Sequence, residues 1–386
     1  MTKIGVILNV GPYSGGKYQY AIAFTEALNS LKNKYKITFL TKEYHWYINL
    51  KKMGVNESEI VYYNTSFIEK ILKFFLIKVF DLNGIIRNFP FLFKSNFKIK
   101  KLNLDILIAA GGESIGYQIS KVKSIIPIFD LMHKYESYPE LNNDDIYKWR
   151  EKHYSRISKW ADIVLVDSNL GKNQYFETYN RNNSQILEYI APDYIRKSSK
   201  KNLGYNNEFV KFFYPAQFWE HKNHIKLILA CKKLLDSGIS NWSLTLTGSK
   251  KNNYYNIVRM ISEYQLEEFI FIKDYVSNEI MLDYYTNFSC LIFVSNLGPT
   301  NIPPIESLTM ACPMIISDVY AMKSQIKDSA LYIDPESEES IFLMMKKFIK
   351  SVDVRKDLVK NGKKNRNNFT LKRFSNDLDS IINLIK

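Results

Sequence analysis

The stretch from residue 291 to residue 318 constrains the fold more than any other part of the sequence. It begins with a short apolar run, Leu291–Val294, that is typical of a buried parallel strand. A polar turn containing glycine follows, and then come Pro303 and Pro304, which lack an N–H group and suit the first turn of a helix. We therefore predict a strand, a turn and a helix that runs from about Pro304 to about Ala311.

The start of this predicted helix has a chemical meaning. The first backbone N–H groups of a helix are unpaired and carry partial positive charge, and open α/β sheets place their ligands at such helix starts. A phosphate is the natural anion for this position. Glu306, which the pattern places in the first turn, either accepts hydrogen bonds from the vicinal hydroxyls of a ribose or stabilises the helix dipole, and the residues alone support both interpretations equally.

The same segment resembles the nucleotide-sugar motif of family 4 glycosyltransferases. In that motif two glutamates eight positions apart flank a glycine-rich turn, which precedes a helix of small residues and a Pro-apolar strand. Glu306 corresponds to the second glutamate, and Gly298 stands where the first would be, so the chain resembles a variant of the motif. The resemblance implies that Glu306 binds the ribose and that Gly298, Thr300, Asn301 and Ile302 contribute to donor binding, the last three through backbone groups on phosphate or sugar.

The length and the net charge limit the classes of protein to which this chain can belong. A chain of 386 residues is long enough for two domains with separate cores. We find no apolar run of about eighteen residues and no secretion signal. Cys231, Cys290 and Cys312 lie in apolar contexts without metal-ligand spacing, which indicates buried thiols of a cytoplasmic protein. The net charge of +14 favours an acidic partner, for which nucleic acid, anionic lipid and phosphorylated substrates are all candidates.

A glycine-rich turn follows the first predicted strand. The strand, Lys3–Val10, leads through Gly15 and Gly16 into a helix from about Tyr18 to about Lys32. The glycines lack the spacing of a dinucleotide-binding motif and by themselves indicate a tight turn with positive φ. In the resembled family this turn lies beside the donor phosphates and the acceptor, which makes Gly15 and Gly16 donor-binding candidates.

Residues 67–102 interleave large apolar side chains with basic ones. The segment has eight basic residues against two acidic ones, a net charge of +6. This composition suits the interface of an anionic bilayer, where each lysine adds about 1 kcal/mol near the surface. A helix that packs its apolar face on the core and solvates its basic face fits the same pattern slightly better. Peripheral membrane contact is therefore a hypothesis.

A histidine follows another predicted strand, Ser124–Phe129. On its own, His133 fits either a proton-transfer or hydrogen-bonding role in a site or a cap on a helix. The sequence Asp130-Leu131-Met132-His133 resembles the Asp-x-x-His segment of the same transferases, whose histidine reaches toward the donor sugar. The resemblance implies that His133 lies by the sugar and its anomeric centre.

A second strand–turn–helix unit opens the C-terminal half. The strand Phe209–Ala216 is followed by Gln217 and then by Lys222 and Asn223 directly before a helix. A lysine at this junction can act as a point charge on a leaving diphosphate, although most lysines are simply solvated. Lys-Asn-His resembles the phosphate-binding segment of the family, in which an arginine stands five residues before the lysine. Here that position is Gln217.

The resemblance covers most of the chain and implies the organisation of the molecule. We predict an α/β fold of the GT-B type, with two Rossmann-like doubly wound domains that face each other across a cleft. Residues 1–200 would form the acceptor-side domain, residues 209–370 the nucleotide-sugar domain, and residues 371–386 a helix that packs back on the first domain. Tyr275 and Val276, after the third strand of the second domain, align with family residues that contact the nucleobase.

The function implied by the resemblance is retaining transfer of a hexose-type sugar. The donor would be a nucleoside-diphosphate sugar, and the acceptor a glycan or lipid-linked precursor of bacterial surface polysaccharide such as lipopolysaccharide, in the cytoplasm or at the inner face of its membrane. His133, Lys222 and Glu306 are the catalytic candidates, and no metal is expected, because helix N-termini and Lys222 would neutralise the diphosphate.

Two alternatives remain open. Gly298 and Gln217 make a degenerate member, which binds a sugar nucleotide without transferring it, a credible rival. The positive charge with 27 Tyr and 24 Phe suggests a polyanion or nucleic-acid binder. The aromatic residues fall mostly in predicted strand and helix cores rather than in one basic stripe, which disfavours nucleic acid as a partner.

Overall fold

The computed structural model describes residues 1–79, 82–200, 202–298 and 300–386. Their contacts divide the chain into two compact units. The first unit contains residues 1–131, 147–188 and 371–386, and the second contains residues 132–146 and 189–370. The short segment 132–146, which carries His133, therefore packs with the C-terminal half of the chain.

Strands and helices alternate along both units. The strands are β1 (Lys3–Ile7), β2 (Lys36–Thr41), β3 (Ile60–Tyr62), β4 (Ile106–Ala109), β5 (Lys123–Pro127), β6 (Ile163–Val166), β7 (Ser184–Ile186), β8 (Val210–Pro215), β9 (Trp242–Thr247), β10 (Ile270–Lys273), β11 (Cys290–Phe293), β12 (Met314–Ser317) and β13 (Leu331–Ile333). The helices are α1 (Gly16–Ser30), α2 (Tyr44–Lys52), α3 (Phe67–Lys73), α4 (Asn83–Asn88), α5 (Lys94–Lys100), α6 (Pro139–Asn142), α7 (Asp144–Trp160), α8 (Asn169–Tyr179), α9 (Asp193–Arg196), α10 (His224–Asp236), α11 (Tyr254–Glu263), α12 (Asn278–Asn287), α13 (Ile302–Met310), α14 (Met322–Ile326), α15 (Glu338–Lys350), α16 (Val352–Asn365) and α17 (Leu371–Asn383).

The first unit is built on a parallel sheet of seven described strands in the order β3-β2-β1-β4-β5-β6-β7. In the register of the central strands, Ile4 lies opposite both Ile37 of β2 and Ile106 of β4. Side chains on both faces of these strands are buried, for example those of the successive residues Val6 and Ile7. Such continuous apolar runs are typical of parallel strands covered by helices on both sides.

The last helix of the chain belongs to the first unit. Phe374 on α17 packs edge-on against Phe24 of α1, with ring centroids 5.5 Å apart. Asp379, further along α17, accepts hydrogen bonds of 2.6 Å from both Lys34 Nζ and Tyr35 Oη. An apolar face and a polar edge of the helix are thus both fixed to α1 and the turn that follows it.

The second unit is built on a parallel sheet of six described strands in the order β10-β9-β8-β11-β12-β13. The buried residues Phe212 on β8 and Cys290 on β11 are paired in its centre. Because the strands are parallel, the turns after β8, β11 and β12 leave the sheet at the same edge. The predicted α/β class with two parallel sheets is confirmed, while the cleft between the two domains stays a prediction.

Three findings bear on the predictions from composition. Cys231, Cys290 and Cys312 are buried and free, as predicted. Within the described ranges, no helix has both the length and the apolar character needed to cross a bilayer. Nor do any three described His, Cys, Asp or Glu side chains come together in a way that could hold a metal ion.

Candidate functional site

The turn between β11 and α13 is held by its own side chains. Gly298 adopts a φ of 110°, a conformation that side-chain-bearing residues rarely take. A Cβ atom at this position would come within 2.5 Å of Asn301 Nδ2. Asn301, the residue before the first turn of α13, donates hydrogen bonds to the carbonyl oxygens of Leu297 (3.1 Å) and Gly298 (3.4 Å). The turn is therefore folded tightly back on the start of the helix.

The helix start differs from the prediction in one respect. α13 begins at Ile302, two residues before the predicted Pro304, because the chain is already helical when it reaches the two prolines. Glu306 is consequently the fifth residue of the helix and not part of its first turn, which contains no acidic residue. The first-turn dipole interpretation of Glu306 is wrong.

Lys222 reaches the start of α13 from a neighbouring turn. It ends the short 3₁₀ helix that follows β8. Its Nζ lies 3.3 Å from Ser295 Oγ and 3.4 Å from Asn301 Oδ1, and 5.3 Å from the centre of the Phe293 ring. The structure thus places a cation beside a helix N-terminus, the two elements that the sequence suggested for a diphosphate.

The predicted neighbours of Lys222 have different surroundings. Asn223 is buried with a φ of 57°, and its side-chain amide donates to the carbonyl oxygens of Val294 (3.2 Å) and Pro335 (2.7 Å). Its two donors therefore serve the protein by fixing the Lys222 turn to two other loops. Gln217 is exposed, and its Oε1 accepts a hydrogen bond of 2.8 Å from Trp219 Nε1.

Glu306 lies in the interior rather than at an open surface. Its side chain is 6% exposed. One carboxylate oxygen accepts a 3.0 Å hydrogen bond from Tyr194 Oη and the other a 2.6 Å hydrogen bond from Tyr285 Oη. Burial raises the pKa of Glu306, and the two tyrosine hydroxyls oppose that rise. Neither tyrosine was a candidate from the sequence, because 112 and 21 positions separate them from Glu306.

Three other predicted donor contacts lie on the loops of the second unit. Thr300 is in the β11–α13 turn, where its hydroxyl accepts a 2.6 Å hydrogen bond from Gln325 Nε2. Tyr275 and Val276 follow β10, and the Tyr275 side chain is 67% exposed. Burial raises the pKa of Tyr194, and its hydrogen bond to Glu306 and the charge of that carboxylate add to the rise.

His133 belongs to a segment that packs on the β11–α13 turn. It is buried, in a single turn of 3₁₀ helix at Met132–Lys134. The adjacent Met132 packs with Leu141 and with Leu297 of the β11–α13 turn. Tyr138 Oη, in the same segment, accepts a 2.6 Å hydrogen bond from Asn296 Nδ2. The predicted histidine is thus placed in the same unit as Lys222 and α13.

A second link ties this segment to the Lys222 turn. The carboxylate of Glu140 accepts hydrogen bonds from the backbone N–H of His221 (3.2 Å) and from His221 Nδ1. Burial acts to raise the pKa of Glu140, but the hydrogen bonds from His221 outweigh it and hold that pKa at about 2. The pair lies 81 positions apart in the sequence, and no local pattern predicts it.

A cavity of about 680 Å³ opens beside the ends of β12 and β13 in the second unit. Its lining is rich in hydrogen-bond acceptors, which suit ligands with many hydroxyl groups. Burial raises the pKa of Glu136 in this cavity, and the nearby charge of Glu336 adds to the rise. The carboxylate and phenol side chains that line it are Glu136, Asp318, Asp334, Glu336, Tyr138, Tyr320 and Tyr332.

The predicted Gly15–Gly16 turn lies in the first unit. Gly15 has a φ of 58° directly before α1, and a Cβ atom built on it meets nothing within 4 Å. The N-terminus of α1 is therefore open. Lys17 and Phe129, which lie near this helix start, were not candidates from the sequence. Lys17 Nζ is 5.1 Å from the centre of the Phe129 ring, and burial lowers the pKa of Lys17.

Parts of the sequence match known proteins. Residues 195–365 match the family model of group 1 glycosyl transferases. Over 182 residues the chain is 25% identical to the O-antigen chain mannosyltransferase RfbU of Salmonella typhimurium, and the match covers 46% of this chain and 48% of that protein. The match thus spans about half the length of this curated relative.

Solved structures resemble the whole chain. A glycosyltransferase from Rickettsia africae has a TM-score of 0.69 at 16% identity and covers 100% of this chain and 98% of its own. The Anabaena protein HepE, in complex with UDP and glucose, has a TM-score of 0.69 at 11% identity over 99% of this chain and 100% of its own. A sucrose-phosphate synthase from Thermosynechococcus elongatus has a TM-score of 0.71 at 14% identity over 100% and 99%. These likenesses confirm the GT-B fold.

Proposed function

We propose that the protein transfers a sugar from a nucleoside-diphosphate donor to a glycan or lipid-linked acceptor. The match of residues 195–365 to group 1 glycosyl transferases and the GT-B fold support this proposal. One observation carries it. Lys222 Nζ lies 3.4 Å from Asn301 Oδ1, directly at the N-terminus of α13.

Lys222 and α13 would act together on the leaving diphosphate. When the bond between the sugar and the diphosphate breaks, negative charge develops on the diphosphate oxygens. A lysine ammonium and the unpaired N–H groups of a helix start both stabilise that charge, and both are fixed before the reaction. We propose that these groups supply the required positive charge without a metal, in a retaining transfer of the family 4 type.

Glu306 would bind the ribose of the donor through its remaining lone pairs. A carboxylate can accept about four hydrogen bonds, and the tyrosines Tyr194 and Tyr285 use two. Tyr275, which is exposed, would contact the base. Gly15 and Gly16 of the first unit are retained as donor-binding candidates, as the family resemblance implies. His133 would act near the sugar.

The relatives suggest the biological context. RfbU is named as an O-antigen mannosyltransferase, and the similar structure of WaaB is that of a lipopolysaccharide outer core galactosyltransferase. We therefore propose that the donor sugar is a hexose and that the product is a bacterial surface polysaccharide or its lipid-linked precursor, made on the cytoplasmic side of the membrane.

The experiment is a panel of UDP-, GDP- and dTDP-hexoses, with release of the nucleoside diphosphate as the readout. We expect turnover with one donor class and a fall of about a hundredfold or more in kcat for Lys222→Gln, because the variant loses charge stabilisation of the leaving group. Lys226→Gln is the matched control. Lys226 lies on α10, four residues after Lys222, and pairs with Glu338 at 2.9 Å, so its replacement should leave kcat unchanged.

A degenerate sugar-nucleotide binder is the second candidate. Gly298, at the position of the first motif glutamate, is tied to Asn301, and Gln217 stands at the position of the arginine. Such a protein would show a nucleotide-dependent rise in melting temperature but no diphosphate release with any donor and acceptor. Turnover that Lys222→Gln leaves at the wild-type level would contradict the proposed role of Lys222.

A further inference from the structure

Helix α3 presents its apolar side to solvent. Its large apolar residues follow helical spacing, so they form one stripe along α3 and the start of the π-helical segment that follows it. In a water-soluble amphipathic helix this stripe would face the core. Here the stripe is exposed at Phe67 (76%), Ile68 (70%), Ile71 (41%), Leu72 (46%) and Phe75 (48%).

The polar side of α3 faces inward and fixes this orientation. Glu69 is 5% exposed and forms an ion pair with Lys73 at 3.0 Å. On α5, the backbone N–H of Ser95 donates to the Glu69 carboxylate (3.3 Å), and Asn96 Oδ1 accepts from Lys73 Nζ (3.1 Å). If the apolar stripe turned inward, Glu69 and Lys73 would turn outward. The helix would then lose this buried, hydrogen-bonded ion pair. The core-packed alternative considered from the sequence is therefore wrong for α3.

The exposed apolar surface continues over the next elements. Ile86, Phe93 and Ile99 are buried and anchor α4 and α5 to the first unit. Other large apolar residues on α4, on α5 and between them are exposed. These exposed residues are Ile85 (46%), Phe89 (47%), Phe91 (62%), Leu92 (48%) and Phe97 (41%).

The charges around this surface indicate what covers it. Lys70 is exposed on α3 beside the stripe, and Lys94, Lys98 and Lys100 are exposed on α5. Glu69, the acidic residue that the structure describes in this segment, is buried and paired. A second copy of the chain would bring lysines against lysines, which costs free energy, whereas a bilayer with anionic lipids offers both an apolar interior and negative headgroups.

We propose that the surface formed by α3, α4 and α5 docks the protein on a bilayer that contains anionic lipids. The exposed aromatic and aliphatic side chains enter the boundary between headgroups and acyl chains, and the lysines contact lipid phosphates. The docking surface belongs to the first unit and uses none of the proposed sugar-transfer residues. Membrane binding and sugar transfer can therefore fail separately.

The first test is flotation of the full chain with vesicles of phosphatidylcholine alone and of phosphatidylcholine containing about one-third phosphatidylglycerol, at low and high salt. We expect binding to the anionic vesicles that weakens as salt rises. The triple variant Phe67→Ser/Ile68→Ser/Leu72→Ser should bind them at least about tenfold more weakly, because it removes the apolar contact. These side chains are exposed, so circular dichroism and melting should show an intact fold.

A matched control carries serine at exposed apolar positions of the second unit. Tyr255 (80%), Leu343 (46%) and Val352 (45%) are comparably exposed, and their triple serine variant should bind like the wild type. Equal loss of binding in both triple variants, or no binding of the wild type to anionic vesicles, would overturn the proposal. A dimer that the Phe67 triple variant dissociates, without vesicle binding by the wild type, would identify a second copy as the occupant instead.

The lysines are tested in the same assay. Lys70→Gln and Lys94→Gln should each weaken binding to anionic vesicles by about fivefold and reduce its salt dependence. Lys350→Gln and Lys360→Gln, exposed lysines of the second unit, are the controls and should change neither. Binding that is insensitive to Lys70 and Lys94 would show that charge does not direct the docking and would overturn the choice of an anionic bilayer.

Discussion

At the scale of single residues, His224 shows how packing controls a titratable group. Its imidazole is fully buried between the rings of Phe218 and Tyr214, each centred 4.8 Å away. Neither ring nitrogen has a hydrogen-bond partner in the described part of the chain. Burial lowers the pKa of His224 from 6.5 to about 3, and the charges of Lys222 and His221 add to this effect.

This histidine should make the protein sensitive to acid. The folded state keeps His224 neutral, whereas the unfolded chain binds a proton at this histidine below pH 6.5. The free energy of unfolding is therefore unaffected by His224 above pH 6.5 and decreases as the pH drops from 6.5 toward 3. The slope is about 1.4 kcal/mol per pH unit over this range. His224→Phe should flatten the decline in the free energy of unfolding, measured with urea from about pH 7 to about pH 4.

A packing variant separates this effect from general destabilisation. Phe218→Leu should lower stability by about the same amount at every pH, because it removes contact area but leaves the imidazole buried. If His224→Phe keeps the wild-type slope, other groups dominate the acid response and the assignment to His224 fails.

At the scale of elements, Glu306 joins three helices. It lies on α13 and accepts hydrogen bonds from Tyr194 on α9 and Tyr285 on α12. Glu306→Ala would remove the carboxylate that accepts from both phenol hydroxyls, and Tyr285 Oη would keep its 3.4 Å contact with the Pro303 carbonyl oxygen. The loss of an acceptor costs about 1–3 kcal/mol for a buried donor. We expect Glu306→Ala to lower the free energy of unfolding by about 2–4 kcal/mol in chemical denaturation.

Phenylalanine variants provide the control for the hydrogen bonds between Glu306 and the two tyrosines. Tyr194→Phe combined with Tyr285→Phe in the Glu306→Leu background should recover part of the lost stability, because no buried polar group is then left unsatisfied. Strictly additive losses from these substitutions would show that the three side chains do not act as a unit. Nucleotide binding by the stable variants would be measured separately, since it reports on the proposed ribose contact.

The sequence predicts most of these elements but not their pairings. Apolar runs such as Leu291–Val294 predict buried parallel strands. β11 confirms this, because all of its residues are buried. The start of α13 was predicted two residues late, because prolines are tolerated at several positions of a first turn. The orientation of α3 could not be predicted, because helical periodicity fixes one apolar face without stating whether that face meets the core or the solvent.

At the scale of the whole molecule, the predictable part is the repeated strand–turn–helix pattern. It gives two parallel sheets, and the likeness of the chain to GT-B structures confirms that result. The site is only partly predictable. Lys222 was singled out from its position before α10, but its approach to Asn301 and the link from Glu140 to His221 depend on contacts between residues 79 and 81 positions apart.

The backbone at Gly298 also limits how this protein can change. A φ of 110° strains any residue that carries a side chain, and a Cβ atom at this position would require the amide of Asn301 to move. A glutamate at position 298 would strain the backbone of the turn, and its Cβ atom would displace the Asn301 amide from its two carbonyl partners. An engineer who starts from this chain would therefore reach the two-glutamate motif only through coupled substitutions at positions 298 and 301.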